Sequence, residues 1–161
     1  MSVKVRVLTA FFLAAVSISA ASAQDRISDL RNRFAHEPNP VAKAKLMPPL
    51  GDAEFAVIDD DVAQDKIPEA LEVLKSYRDE VTSCNKALDA AGIDAEKHPA
   101  GFKQLQFSLR DSLRRLDTIL TNLTGDDQPP FLDIRKELGE LNRHLIEQLF
   151  PRGLTDSSQR K

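Results

Sequence analysis

The chain has 161 residues, a formal net charge of −3, 42% hydrophobic residues, 6% aromatics and one cysteine. The acidic balance excludes general nucleic-acid binding, which needs a net basic surface, and a single thiol excludes an internal disulfide. With no Trp, the core must be built chiefly from Leu, Ile, Val and Ala, which suits helices better than a sheet.

Lys4 and Arg6 open the chain and the apolar run VLTAFFLAAVSI follows. Spanning a bilayer takes roughly 20 residues, more than this run supplies. Ala21 and Ala23 then stand at the two small-residue positions that a signal peptidase reads. The expectation is a leader over residues 1–23, cut after Ala23. The freed chain is then exported, to a periplasm or beyond the cell, and is no longer held in a membrane. Removing Lys4 and Arg6 takes the 22 basic residues to 20, against 25 acidic, a formal charge of −5 for the mature chain. Residues 24–150 are expected to form one helical domain, and the polar segment from 151 to 161 a disordered tail.

Within that domain, DRISDLRNRF spaces Ile27, Leu30 and Phe34 as a short amphipathic helix. HEPNPV interrupts it. Asn39 can cap a second short helix with Pro40 in its first turn. Pro48 and Pro49 predict a break or sharp kink, with helix resuming around GDAEFAVIDDDV, where Phe55, Ile58 and Val62 share a face. Asp65 and Pro68 mark the next start.

Three long helices follow. The first sets Leu71, Leu74, Tyr77, Val81, Cys84 and Leu88 on one face and stops at Gly92. The second carries Phe102, Leu105, Leu109, Leu113, Leu116, Leu120 and Leu123. The third carries Phe131, Ile134, Leu138, Leu141, Leu145 and Leu149. Asp126 or Asp127 with Pro129 and Pro130 opens this last helix, and Pro151 closes it. Gly139, Ile146 and Phe150 widen its apolar face, as a helix touching two neighbours requires. No segment alternates like a strand. The fold class is therefore all-α: an up-and-down antiparallel bundle of about four main helices, with short N-terminal helices packed across it.

LGDAEF followed by IPEALEVLKSYRDEV resembles the two helices of a tetratricopeptide repeat. The gap between the pieces exceeds that repeat's, and no second copy follows at about 34 residues. The resemblance implies a helical-hairpin scaffold that binds proteins or peptides.

Enzyme signatures are missing: there is no G-x-S-x-G, HExxH, P-loop or G-x-G-x-x-G. Cys84 falls on an apolar stripe and reads as a core residue. Asp59, Asp61 and Asp65 have part of a calcium-loop spacing, but Gln64 and Ala70 stand where the loop needs Gly and Glu. Glu140, His144 and Glu147 lie within two turns, yet Leu141 takes the place of the Glu in a Glu-x-x-His pair, and Lys136 and Arg143 make an ion-pair ladder with them. For haem, Met47 and a His are conceivable axial ligands with nothing in the sequence to pair them, and C-x-x-C-H is absent. NLT at Asn122 is a glycosylation acceptor pattern. No cofactor is expected.

The remaining signal is Phe107, which points away from the leucine stripe of its helix, with Lys103, Arg110 and Arg114 around it. Large apolar side chains in a small domain are mostly buried, so the ring is expected under the N-terminal helix, against Ile27, Leu30 or Phe34. Left uncovered, these four residues would anchor an acidic or amphipathic partner. The function expected is an exported, non-enzymatic helical protein that binds a protein or peptide. The alternative is an exported four-helix bundle holding a metal or haem-type cofactor.

Overall fold

The structure, a computed structural model, describes the backbone of residues 16–151 and the side chains of residues 24–151. Most of the expected leader and nearly all of the expected polar tail lie outside the described residues. Five helices follow one another among those that are described: α1 (Val16–His36), α2 (Pro40–Ala63), α3 (Ile67–Ala90), α4 (Ala100–Asn122) and α5 (Gln128–Leu149). The all-helical bundle expected from the apolar periodicity is the fold observed.

Helix α1 extends further toward the N-terminus than its apolar spacing required and runs through Ala23 without a break. It ends at His36. After the linker Glu37–Asn39, Asn39 caps α2, its Oδ1 accepting from the amides of Val41 at 2.9 Å and Ala42 at 3.0 Å. Pro40 fits the first turn because its missing N–H has no intrahelical partner there.

The break expected at Pro48 and Pro49 does not occur. Both prolines lie inside a continuous 24-residue α2, so the two expected short segments are one helix. The reason is burial on both sides of the pair. Ala44 and Met47 before it, and Leu50, Gly51, Phe55 and Ile58 after it, are all buried, because α2 packs against α1, α3 and α4 together. Packing on three sides offsets the missing backbone hydrogen bonds.

The start of α3 also differs from expectation. Asp65 does not cap it; Lys66 occupies that position, without a side-chain cap bond. Asp65 instead ends α2, in the left-handed region at φ 60°. Its amide donates to Val62 O at 3.1 Å, and that of Lys66 to Asp61 O at 2.8 Å. This is the Schellman closure, normally made with glycine at the left-handed position.

Helices α2 and α5 do not touch, so they occupy opposite corners of the bundle, with α3 and α4 each contacting both. Cross-helix pairs give the directions. Glu54 and Phe55 lie level with Glu80 and Tyr77, so α2 and α3 are antiparallel. Asp52 and Asp59 both meet Arg115, and Gly51 faces Ser108 and Ser112, so α2 and α4 run parallel. Arg78 meets Glu137 and Asp89 meets Gln148, so α3 and α5 are parallel too. Directions alternate along the chain as expected, but the nine residues between α3 and α4 carry the chain across the bundle. The backbone of α1 approaches that of α2 alone.

Small residues allow α2, α3 and α4 to approach one another closely. A Cβ on Gly51 would lie 3.1 Å from the Tyr77 ring, and one on Gly101 would lie 2.7 Å from Leu88 Cδ2 and 3.3 Å from Val41 Cα. Phe55 and Tyr77 meet edge to face, with ring centroids 5.2 Å apart. The stripes expected on α3, α4 and α5 all face this core, with Leu71, Leu113 and Leu141 at its partly buried edge.

Candidate functional site

Phe107 is not covered. The N-terminal helix packs on α2, away from the outer face of α4, and the ring is 48% exposed. The expectation that Ile27, Leu30 or Phe34 covers it is therefore corrected. Those three residues are buried elsewhere, Leu30 and Phe34 within the core cluster. The helical period dictates this outcome: α4 buries Phe102, Leu105, Gln106, Leu109 and Ser112, and residue 107 falls between the edges of that arc.

The arginines around Phe107 are ordered by local contacts. The Arg110 guanidinium carbon stands 5.3 Å from the ring centroid, a cation–π contact. Arg114 Nη2 donates to Asp111 Oδ1 at 2.5 Å, and Arg110 Nε is 3.9 Å from the same oxygen. Lys103, one turn earlier, has no ion-pair partner among the described residues. The face thus presents three cations, one carboxylate and one exposed aromatic, basic on balance in a net acidic protein.

The other sequence candidates disperse. Asp59 accepts from Arg115 Nη2 at 3.0 Å. Asp65 belongs to the α2 closure. Partial burial raises the Asp61 carboxyl above its usual range. Glu140 and Glu147 are exposed, and His144 approaches Asp89 of α3, at 3.8 Å, rather than either glutamate. Among the described residues, no three His, Cys, Asp or Glu side chains stand together in a metal-binding group. Met47 is fully buried in the core. An open groove of about 790 Å³, lined by Val41, Ile93, Lys97 and His98 among others, lies where the α3–α4 connection meets the start of α2. Its charged pair, Lys97 and Asp94, is satisfied internally at 3.1 Å.

One polar cluster escapes a motif search. Glu54 of α2 is fully buried, and the Glu80 side chain of α3 is 14% exposed. Arg31 of α1 reaches both: its Nε lies 2.9 Å from Glu54 Oε1 and 3.1 Å from Glu80 Oε1, and its Nη2 also donates to Glu54. The remaining oxygen of each carboxyl is buried without a donor. Burial, reinforced by the charge of Glu80 and a hydrogen bond with it, pushes Glu54 up to about 8 despite Arg31. Burial likewise raises Glu80, against the pull of Glu54 and Arg31. Beyond them the buried Tyr77 hydroxyl donates to Ser112 Oγ at 2.7 Å. A guanidinium already stands where a metal ion would bridge the two carboxylates.

The signal for this cluster is positional. Glu54 follows Leu50 by four residues and precedes Ile58 by four, which puts a carboxylate on an apolar stripe. Arg31 holds the same relation to Ile27, and Glu80 follows Tyr77 by three. Single charges on core stripes carry no motif, but they predict a buried network joining the helices that bear them.

No helix among the described residues is long and apolar enough to cross a membrane. No family model matches the chain, the tetratricopeptide model included, and no curated protein or solved structure matches it either.

Proposed function

We propose that this chain is exported, released from its leader after Ala23, and acts as a non-enzymatic helical protein that binds an acidic or amphipathic partner protein through the outer face of α4. The observation that carries the reading is the exposure of Phe107 between Lys103, Arg110 and Arg114. A large aromatic left in water, with cations that steer and hold an acidic surface, is the composition of an interface anchor. Arg110 stacked on the ring restricts it before binding, which lowers the ordering cost of association.

Phe107→Ala tests it. An exposed ring contributes little to folding, so the variant is expected to unfold within about 0.5 kcal/mol of the wild type. Affinity capture from the native envelope fraction is expected to lose its specific partner with the variant as bait. Reversing Arg110 and Arg114 to Glu is expected to weaken capture further, and to reverse the salt dependence seen with the wild type. A destabilisation of about 3 kcal/mol, as core aromatic truncation gives, or full capture by Phe107→Ala, refutes the assignment.

A further inference from the structure

We propose that α1 is a pH-sensitive latch: a proton shared between Glu54 and Glu80 holds Arg31, and with it α1, on the bundle, and losing that proton lets α1 swing away. Three features of the geometry lead there. The first is the stoichiometry of the cluster. Two buried carboxyl groups share one guanidinium, and each has a second oxygen, Oε2, that no donor reaches. A buried acceptor left without a partner is costly. The two carboxyl groups also lie within hydrogen-bonding reach of each other, a bond that two carboxylates make only by sharing a proton. That proton leaves the cluster neutral: one acid, one carboxylate and Arg31.

The second feature is what surrounds the cluster. α1 contributes Arg31, α2 contributes Glu54, and α3 contributes Glu80 with Asp79 beyond it adding negative potential. Tyr77 of α3, with Ser108 and Ser112 of α4, closes the inner side with hydroxyls. Arg31 is the cation that bears on both carboxyl groups, while Lys43 of α2 lies over Phe34 and Arg115 of α4 over Phe55. A second negative charge here gains no new counterion, so its relief is water.

The third feature is the ease with which α1 can move. Its backbone approaches that of α2 alone, with Arg31 reaching on to α3, and Glu37–Asn39 joins it to α2. Its described side-chain hydrogen bonds and ion pairs to other helices all run through Arg31, beside one cation–π contact from Lys43 to Phe34. From Gln24 onward it has 13 residues, a length at which a helix in water depends on its contacts.

The sign follows from linkage. While α1 is docked, the acid pair holds its proton up to about pH 8. In the proposed open state water reaches the carboxyl groups. The burial relieved, the largest cause of the raised values, outweighs the loss of Arg31, which lowers both, so they return toward their usual 4.5. Opening therefore releases protons, and rising pH favours it through the window from about 4.5 to about 8. Acid closes the latch; mild alkali loosens it, exposing Ile27, Leu30 and Phe34 together with the α2 face beneath.

Hydrogen exchange on the mature full chain tests this, with protection factors corrected for intrinsic exchange at each pH. Between pH 5 and pH 8.5, protection of amides 27–36 is expected to fall on the order of tenfold or more, while the core amides of α4 keep theirs. In Glu54→Gln the side-chain amide donates to Glu80 in place of the proton, so α1 protection is expected to become flat with pH. Glu80→Gln serves the same purpose should the first variant fail to fold. A flat wild-type profile, an unchanged decline in the Gln variant, or α1 and α4 losing protection together each overturns the latch.

Discussion

Residues in this protein behave according to the stripe on which they fall, whatever their chemistry. Cys84 is fully buried between Val81 and Leu88, and burial pushes its thiol up to about 12. The thiolate is the reactive form, so both access and ionisation oppose modification. Labelling of the native protein by a thiol reagent at neutral pH is expected to be slow, and to become rapid and stoichiometric in denaturant. Rapid labelling of the native state would put the thiol at the surface. Glu54 obeys the same geometry with the opposite chemistry: its stripe buries it, and the fold answers with Arg31 and a shared proton. Phe107 is the converse case, an aromatic that its stripe leaves in water.

Among the elements, α2 departs furthest from what its sequence suggests. Two prolines in the interior of an isolated helix remove the hydrogen bonds to the carbonyls of Ala44 and Lys45, at about 3 kcal/mol for each proline. The helix persists because three neighbours bury it along its length. Its C-terminal closure is a further local misfit. An L-residue in the left-handed region is strained, and Asp65 takes that position without glycine's freedom. Asp65→Gly removes the strain while keeping the Schellman bonds. It is expected to raise stability by about 0.5–1 kcal/mol, after allowing for glycine's greater freedom in the unfolded chain. Urea denaturation checks this, and a loss of stability would mean that the Asp65 side chain contributes more than its backbone conformation costs.

For the molecule as a whole, the α3–α4 connection decides which faces meet. By crossing the bundle it makes α2 and α4 parallel neighbours and brings Gly51 against the serines of α4. The outer face of α4 is free for the same reason. Whether that face meets partners outside the cytoplasm depends on the leader. The Lys4 and Arg6 start, the short apolar run and the Ala21 and Ala23 pair predict that the exported protein begins at Gln24. Intact mass of the protein recovered from its native compartment checks this; a mass that retains residues 1–23 would make the chain an anchored one.

The amino-acid sequence by itself determined the long helices α3, α4 and α5 and their inward faces. Leu and Phe recurring at three and four residues can be buried together only on a helix, and the stripes of α3, α4 and α5 required nothing beyond that period. It also determined that Phe107 lies off its stripe. Only the tertiary structure decided whether another helix covers that ring, because the covering depends on where α1 docks, and docking is set by contacts distant along the chain. Likewise, local rules read Pro48 and Pro49 as a break, and burial on three sides of α2 overrode them. The cluster of Arg31, Glu54 and Glu80 was legible as three charges at core spacing. Their meeting was not, since residues 23 and 49 positions from Arg31 come together only when three helices pack.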